Sequence, residues 1–117
     1  MPERIAEDGK QAAITLPWGM HKDAIIEKLV TLRPDLLAEG VTHVALFGSR
    51  ARGDHSEESD LDLLLDVDPS SGFSILNLIG VEQIVETATG ISANAFMRRS
   101  LDDTFRASIE DDIIEVF

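Results

Sequence analysis

The sequence contains no cysteine. Disulfide bonds, thiol catalysis and cysteine-ligated zinc sites are therefore excluded for this chain. Long hydrophobic runs are absent as well, because no apolar stretch approaches the roughly 18 residues that a membrane-spanning helix needs. The first residues, from Met1 to Asp8, lack the apolar core of a signal peptide. Together these absences lead us to expect a cytoplasmic protein that makes no membrane contact.

Basic residues are scarce. The 117 residues include 10 Lys or Arg against 22 Asp or Glu, which gives a formal net charge of −12. Nucleic-acid binding depends on Lys and Arg side chains that neutralise phosphates, so this balance argues against direct binding of DNA or RNA. An acidic surface suits a small nucleotide carried with Mg²⁺, or a basic protein partner.

The length and composition indicate a single globular domain. Hydrophobic residues make up 44% of the chain and charged residues 27%, which is ordinary for a folded domain. A chain of this size encloses one two-layer core. We assign residues 1–17 to a partly flexible N-terminal arm, with 12–16 as a short strand or extended segment, and residues 18–117 to the domain. Trp18 is either a plug against the core or an anchor for a partner.

Helix-like and strand-like segments alternate along the rest of the chain. Pro34 is expected to break or restart a first helical region, and Gly40 to end it. The long helix predicted over about residues 73–89 has an apolar face formed by Leu78, Val81, Val85 and Ala88. Ile75 and Ile79 are expected to widen this face. Gly80 within this helix suggests close packing. The predicted elements are helices over about 21–39, 73–89 and 104–111, strands over 41–47, about 60–67 and 91–97, and an apolar tail over 113–117 that docks on the domain.

The most informative stretch begins where the strand over residues 41–47 ends. Gly48 follows it, and a residue without a Cβ lets the backbone approach a ligand closely. Ser49 offers a hydroxyl and, if a helix begins there, backbone N–H groups suited to a phosphate. Arg52 could contact a phosphate, or it could pin the loop by pairing with a carboxylate. We therefore predict nucleotide-binding roles for Gly48, Ser49 and Arg52.

Asp60 and Asp62 stand two residues apart in a predicted strand. Because side chains alternate along a strand, both would project from one face with Cα atoms roughly 6.6 Å apart. Two adjacent carboxylates repel each other and need a cation. Mg²⁺ accepts one or two carboxylates and completes its shell with water and phosphate oxygens. Asp60 and Asp62 are thus the candidate catalytic and metal-binding residues, and the opposite strand face, expected in the core, carries Leu61, Leu63, Leu65 and Val67.

These residues resemble the signature of the minimal nucleotidyltransferases, within the DNA polymerase β superfamily. That signature is Gly-Ser, ten residues, then Asp-x-Asp, and Gly48-Ser49 and Asp60-Leu61-Asp62 match it without a gap. The resemblance implies an α+β, two-layer fold in which helices pack mainly on one face of a small mixed sheet. It also implies Mg²⁺-dependent transfer of a nucleoside monophosphate, AMP from ATP, to a hydroxyl, with a two-metal site as one option.

The resemblance extends to a biological setting. Minimal members of the family often act as the antitoxin of a small HEPN-domain toxin, in some cases by transferring AMP to a tyrosine of that toxin. It therefore implies a HEPN-domain protein as partner and acceptor, in a homo-oligomer or a hetero-oligomer. One alternative is an inactive domain that neutralises its partner by binding alone. Another, a transferase acting on a small molecule, is disfavoured because nothing in the chain forms a separate substrate domain.

One position departs from the family pattern. Family members place a third carboxylate on the strand after the long helix, and the aligned residue here is Asn94. Asparagine can bind a metal weakly through its amide oxygen, but it carries no charge and is not a base at neutral pH. Three explanations are open: another acid substitutes, one well-held metal or a base from the substrate suffices, or the domain binds without turnover. The acids considered as substitutes are Glu82, Asp102 and Asp103.

Overall fold

A computed structural model describes residues 21–117 of the chain. Four strands form one mixed sheet in the order β3-β2-β1-β4. The central strands β1 and β2 pair antiparallel, β3 runs parallel to β2, and β4 pairs antiparallel with β1. The strands are β1 Val41–Phe47, β2 Leu61–Val67, β3 Ala93–Met97 and β4 Ile114–Glu115. The small mixed sheet expected from the sequence is confirmed.

Five helices accompany the sheet in the described part of the chain. The first helical region is divided into two helices, as expected, because Pro34 lies in the first turn of the second helix, Arg33–Glu39. A capping box between Ser74 and Asn77 fixes the start of α4. The helices are α1 Lys22–Thr31, α2 Arg33–Glu39, α3 Ser49–Arg52, α4 Ile75–Thr89 and α5 Asp103–Ile109, with single 3₁₀ turns at Pro69–Ser71, Arg98–Ser100 and Glu110–Asp112.

The main core lies between one face of the sheet and helices α1, α2 and α4. Leu61, Leu63 and Leu65 of β2 are buried in this core, and Val67 is partly buried against it, as their alternation predicts. Its helical contribution comes from Ile25, Leu29, Leu36, Val81 and Val85. The helices therefore pack mainly on one face, as expected. Ile75 and Ile79 do not join the core as predicted: they are exposed, because the helix turns this part of its apolar surface away from the sheet.

A smaller cluster covers the opposite face of the sheet. It contains Ala45, Phe47 and Leu64 from the central strands and Ile109 from α5. The rings of Phe47, Phe96 and Phe105 meet at centroid distances of 5.7 to 6.1 Å, within the range of favourable aromatic pairs. This cluster occupies only part of its face, and the acidic residues of β2 emerge on the same side.

The outer edge of the sheet at β3 is closed by two carboxylates of α4. The backbone N–H of Ala93 donates to Oε2 of Glu86 at 2.9 Å, and that of Ala95 donates to Oε2 of Glu82 at 2.8 Å. Both N–H groups would otherwise be unpaired at a strand edge. The two charged residues of α4 therefore complete the hydrogen bonding of β3.

The remaining sequence predictions have mixed outcomes. The tail docks as expected, since Val116 N–H donates to the Val44 carbonyl at 2.8 Å. Gly80 is not tightly packed, because an added Cβ would lie 3.4 Å from Oε1 of Glu39, an ordinary van der Waals contact. The predictions for residues 12–16 and for Trp18 lie outside the described residues. Within residues 21–117, no helix is both long and apolar enough to cross a membrane.

Candidate active site

A tight turn after β1 forms one wall of the candidate site. Gly48 has φ 80° and ψ −159°, a conformation that side-chain-bearing residues rarely adopt. Its carbonyl accepts from the N–H groups of Ala51 and Arg52 at 3.1 and 3.0 Å, which starts the single-turn helix α3 at Ser49. A Cβ added to Gly48 would collide with Oδ2 of Asp62. The turn therefore lies directly against Asp62, and the predicted approach of its backbone to a ligand stays a prediction.

The sheet brings Asn94 to the two aspartates. Asp62 of β2 is the register partner of Phe47 on β1 and of Asn94 on β3. Asp60 immediately precedes β2, and its Oδ2 accepts a 3.0 Å hydrogen bond from Nδ2 of Asn94. Asp60, Asp62 and Asn94 thus converge beside the Gly48–Ser49 turn, on the sheet face opposite the main core. Their catalytic and metal-binding roles stay predictions.

The electrostatics of this cluster are those of an anionic pocket. Burial raises the pKa of the Asp62 carboxyl above its ordinary value, because the charged form loses hydration. The charge of Asp60 raises this pKa further, whereas the amide of Asn94 and the charge of Arg52 act in the opposite direction. A cation placed between the two carboxylates would relieve the same repulsion.

The donor set fits a divalent cation such as Mg²⁺. Two carboxylates and an amide oxygen are hard oxygen ligands, which Mg²⁺ accepts while it keeps water and phosphate oxygens in its remaining positions. In the described part of the chain, no group of three His, Cys, Asp or Glu side chains could hold a metal ion. The site therefore offers two charged ligands, Asp60 and Asp62, with Asn94 as an uncharged third.

The other acids proposed for the third position do not reach it. Glu82 accepts from the N–H of Ala95, whereas the neighbouring Asn94 projects to the opposite face of the sheet. Asp102 caps α5, accepting from the N–H of Phe105 at 2.7 Å, and Asp103 is exposed in the first turn of that helix. Asn94 therefore occupies the place that the sequence alignment gave it.

Arg50 supports the site although sequence reasoning did not select it. Its side chain is buried, with Nε donating to the carbonyl of Ser59 at 2.9 Å and Nη2 to that of Ser56 at 3.5 Å. Burial lowers the pKa of Arg50, and the charge of Asp60 opposes that shift. An arginine in a polar stretch carries no sequence sign of burial, which is why it was missed. Its contacts fix the loop that leads into Asp60.

Arg52 pairs with carboxylates, which is one of the two roles that the sequence allowed for it; the other was contact with a phosphate. Its Nε lies 3.1 Å from Oδ2 of Asp54, and its Nη1 lies 2.8 Å from Oδ2 of Asp112. The pairing ties α3 to the 3₁₀ turn after α5. The nucleotide-binding roles of Gly48, Ser49 and Arg52 stay predictions, with Gly48 the best supported by its position.

Comparison with known proteins decides the family. The family model of the nucleotidyltransferase domain matches residues 23–116. The chain belongs to this family. The nucleotidyltransferase is 30% identical over 93 residues to protein adenylyltransferase MntA of Thermococcus cleftensis, covering 78% of this chain and 92% of that relative. Residues 23–116, which the family model matches, contain the turn, both aspartates and Asn94.

Solved structures agree with the fold of this nucleotidyltransferase. A structure assigned as a minimal nucleotidyltransferase has a TM-score of 0.69 and 25% identity, covering 81% of this chain and 95% of that one. A tri-AMPylated HEPN toxin of Shewanella oneidensis in complex with its MNT antitoxin gives a match with a TM-score of 0.60 at 14% identity, covering 82% of this chain and 71% of that one. The predicted fold and enzyme class, a minimal nucleotidyltransferase, are confirmed.

Proposed function

We propose that this nucleotidyltransferase moves AMP from ATP to a hydroxyl of a HEPN-domain partner and acts as its antitoxin. The observation that carries the proposal is the convergence of Asp60, Asp62 and Asn94 on the Gly48–Ser49 turn. The name of the Thermococcus relative, a protein adenylyltransferase, supports AMP as the transferred group. The Shewanella complex of an AMPylated HEPN toxin with an MNT antitoxin supports a HEPN-domain protein as the partner.

Each residue of the site has a distinct task in the proposed reaction. The backbone at Gly48 and the hydroxyl of Ser49 hold the β- and γ-phosphates of ATP. Asp60 and Asp62 would hold Mg²⁺, and Asn94, whose Nδ2 donates to Asp60, would offer its amide oxygen as a third, uncharged ligand once the amide group is turned over. When bound, Mg²⁺ neutralises phosphate charge during the transfer. Catalysis by this chain is then mostly the positioning of ATP and acceptor.

The proposed reaction needs a group that accepts the proton of the attacking hydroxyl, and the site has no third carboxylate to do so. The acceptor hydroxyl attacks the α-phosphorus in line, forming a new oxygen–phosphorus bond as the bond to pyrophosphate breaks. The hydroxyl also loses its proton, which Asn94 does not accept because an amide is not a base at neutral pH. The proton therefore passes to the substrate or to solvent, and we expect slower turnover than an enzyme with a third carboxylate would show.

The position of Asn94 also favours a second candidate function. A site with only two carboxylates near the turn can bind ATP and a cation without efficient transfer. In that case the domain neutralises its partner by contact alone. The two functions differ in one outcome, the presence or absence of AMP on the neutralised partner.

Transfer is tested with α-labelled ATP, Mg²⁺ and the HEPN-domain partner. We expect label on the partner with the wild type and its loss in Asp62→Asn. Asp23→Asn, the same charge change on the exposed first turn of α1, is the matched control and retains labelling. We expect Asn94→Asp to raise the labelling rate, since it restores charge beside Asp60 and Asp62. Neutralisation of the partner without any label refutes transfer and establishes the contact mechanism.

A further inference from the structure

The solvent-facing side of α4 carries no charge. Ile75, Leu76 and Ile79 are 66%, 75% and 43% exposed, and the exposed face continues through Gln83 and Thr87. A surface helix ordinarily presents charged or polar residues on this side. We call the three aliphatic residues, Ile75, Leu76 and Ile79, the apolar α4 face. Contiguous exposed aliphatic side chains of this kind mark interaction sites.

The charged residues of α4 do not lie on its solvent-facing side. Glu82 and Glu86 turn toward β3, where each accepts a backbone N–H. Their carboxylates are therefore committed to the sheet edge, and neither interrupts the apolar α4 face. The helix consequently combines a charged side that closes the sheet with an uncharged side that is left to solvent.

The surroundings of this face are acidic. A groove of about 490 Å³ runs beside the face between α2 and α4, and among the described residues that line it the ionisable ones are Asp35 and Glu39. Glu39 also accepts from Nδ2 of Asn77 at 3.0 Å, which holds its carboxylate at the groove. A partner that fits here needs apolar anchors with basic residues around them.

We propose that the apolar α4 face and its groove are the docking surface for a partner protein that presents an apolar helix flanked by Lys or Arg. A helix laid into a hydrophobic groove is a recurrent mode of recognition, in which aliphatic anchors supply most of the affinity. The acidic rim, represented by Asp35, steers the partner and makes association depend on salt. The identification of this partner as the HEPN-domain acceptor rests on the proposed function.

A second copy of the chain fits this surface less well. Each copy carries a net charge of −12, and a two-fold contact would bring the same acidic rim of both copies together. Like charges facing each other across an interface oppose association. The charge complementarity therefore selects a basic partner.

Docking on α4 leaves the candidate active site open. Helix α4 packs on the face of the sheet that carries the main core, whereas Asp62 and Asn94 project from the opposite face. A partner bound at α4 therefore leaves the ATP site open, and the acceptor hydroxyl has to come from a part of the partner that extends around the sheet to Asp62. Affinity for the partner and transfer to it are expected to respond to different substitutions.

Calorimetric titration with the HEPN-domain partner tests the surface. We expect the double variant Leu76→Ser and Ile79→Ser to lose roughly tenfold or more in affinity, as for buried interface anchors. Val30→Ser removes an aliphatic side chain of similar exposure, 46%, from α1, and this matched control is expected to bind like the wild type. Asp35→Asn is expected to show a weaker dependence of affinity on salt.

The outcomes separate this surface from the proposed function. If the partner is labelled with AMP but the double variant binds it as tightly as the wild type, the surface is refuted and the proposed function stands. Self-association of the wild type that the double variant loses would assign the surface to a second copy and overturn the proposal. A wild type that neither binds nor labels the partner overturns both. Circular dichroism checks that the exposed substitutions leave the fold intact.

Discussion

At the scale of single residues, the loop between the turn and β2 depends on one buried arginine. Arg50 reaches under the segment 53–60 and donates to the carbonyl of Ser59, the residue before Asp60. These contacts position the loop that precedes Asp60, although Arg50 itself is not proposed to bind the nucleotide or the metal. The exposed neighbour Arg52 differs, since its two partners are carboxylates open to solvent or half-buried.

Replacement of Arg50 should destabilise the domain more than replacement of Arg52. Arg50→Met removes the charged donor from partly buried hydrogen bonds to the Ser56 and Ser59 carbonyls, so we expect a loss of about 2–3 kcal/mol in the free energy of unfolding. Arg52→Met breaks ion pairs of an exposed arginine and should cost clearly less. Urea denaturation measures both. Equal losses for the two variants would contradict the structural role of Arg50.

His55 gives the folded state a dependence on pH. Both ring nitrogens are buried without a hydrogen-bond partner. Burial lowers the pKa of His55, and the nearby charge of Arg50 lowers it further. The unfolded chain therefore binds a proton at higher pH than the folded chain, so stability is full above the unfolded pKa of about 6.5 and declines as pH falls below it.

The His55 prediction is tested by comparing pH series. We expect the wild type to lose unfolding free energy between about pH 7 and 5.5, and His55→Leu to lack this part of the decline. NMR titration of the His55 ring should give a pKa below about 6.5. A wild type and a variant with the same slope over this range would show that His55 does not contribute.

At the scale of elements, α4 protects the edge strand that positions Asn94. Its glutamates pair with the N–H groups on either side of this residue, at Ala93 and Ala95. Strand edges with free N–H groups tend to pair with other chains. The same contacts hold β3 at the register that brings Asn94 beside Asp62.

Removal of these two carboxylates should loosen β3 selectively. In Glu82→Ala with Glu86→Ala, we expect each lost charged hydrogen bond to cost about 1.5–3 kcal/mol of stability. Hydrogen exchange at the Ala93 and Ala95 amides should accelerate more than at the amides of β1. The exposed variant Gln83→Ala, on the same helix, is the control. Unchanged exchange at Ala93 and Ala95 would contradict the protection of this edge.

At the scale of the whole molecule, the excess of acidic residues favours cation binding. With a net charge of −12, the folded chain repels itself, and two of its carboxylates stand together beside the Gly48–Ser49 turn. A ligand that binds only the folded state raises the melting temperature by an amount that grows with the logarithm of its concentration relative to the dissociation constant. Divalent cations should therefore stabilise this protein specifically through Asp60 and Asp62.

Magnesium should raise the melting temperature of the wild type progressively once its concentration exceeds the dissociation constant. Binding at 100 times the dissociation constant contributes about 2.7 kcal/mol. We expect Asp62→Asn to lose this response and Asp23→Asn to keep it, with NaCl at equal ionic strength accounting for general screening. Excess EDTA should reverse the shift. An equal rise in the melting temperature of Asp62→Asn would show that the cation binds at another site.

Features encoded in short stretches were predictable. The period of the leucines predicted the buried face of β2. The contact of Gly48 with Asp62 depends instead on the direct pairing of β1 with β2. Ile75 and Ile79 show the limit of periodicity: an apolar helix face is visible in the sequence, but how much of it the sheet covers is not. The Asn94 position came from a family alignment and not from local chemistry.

By itself, the amino-acid sequence determined the strands, the helices and the turn, since backbone conformation and side-chain alternation depend on neighbouring residues. It also determined the charge that opposes nucleic-acid binding. Only the tertiary structure decided the partners of Arg52 and of Asn94, which lie 60 and 34 residues away in the chain at Asp112 and Asp60. Such pairs depend on strand order and register, which are set by the packing of the whole core. The same packing decided which side of α4 was left to solvent.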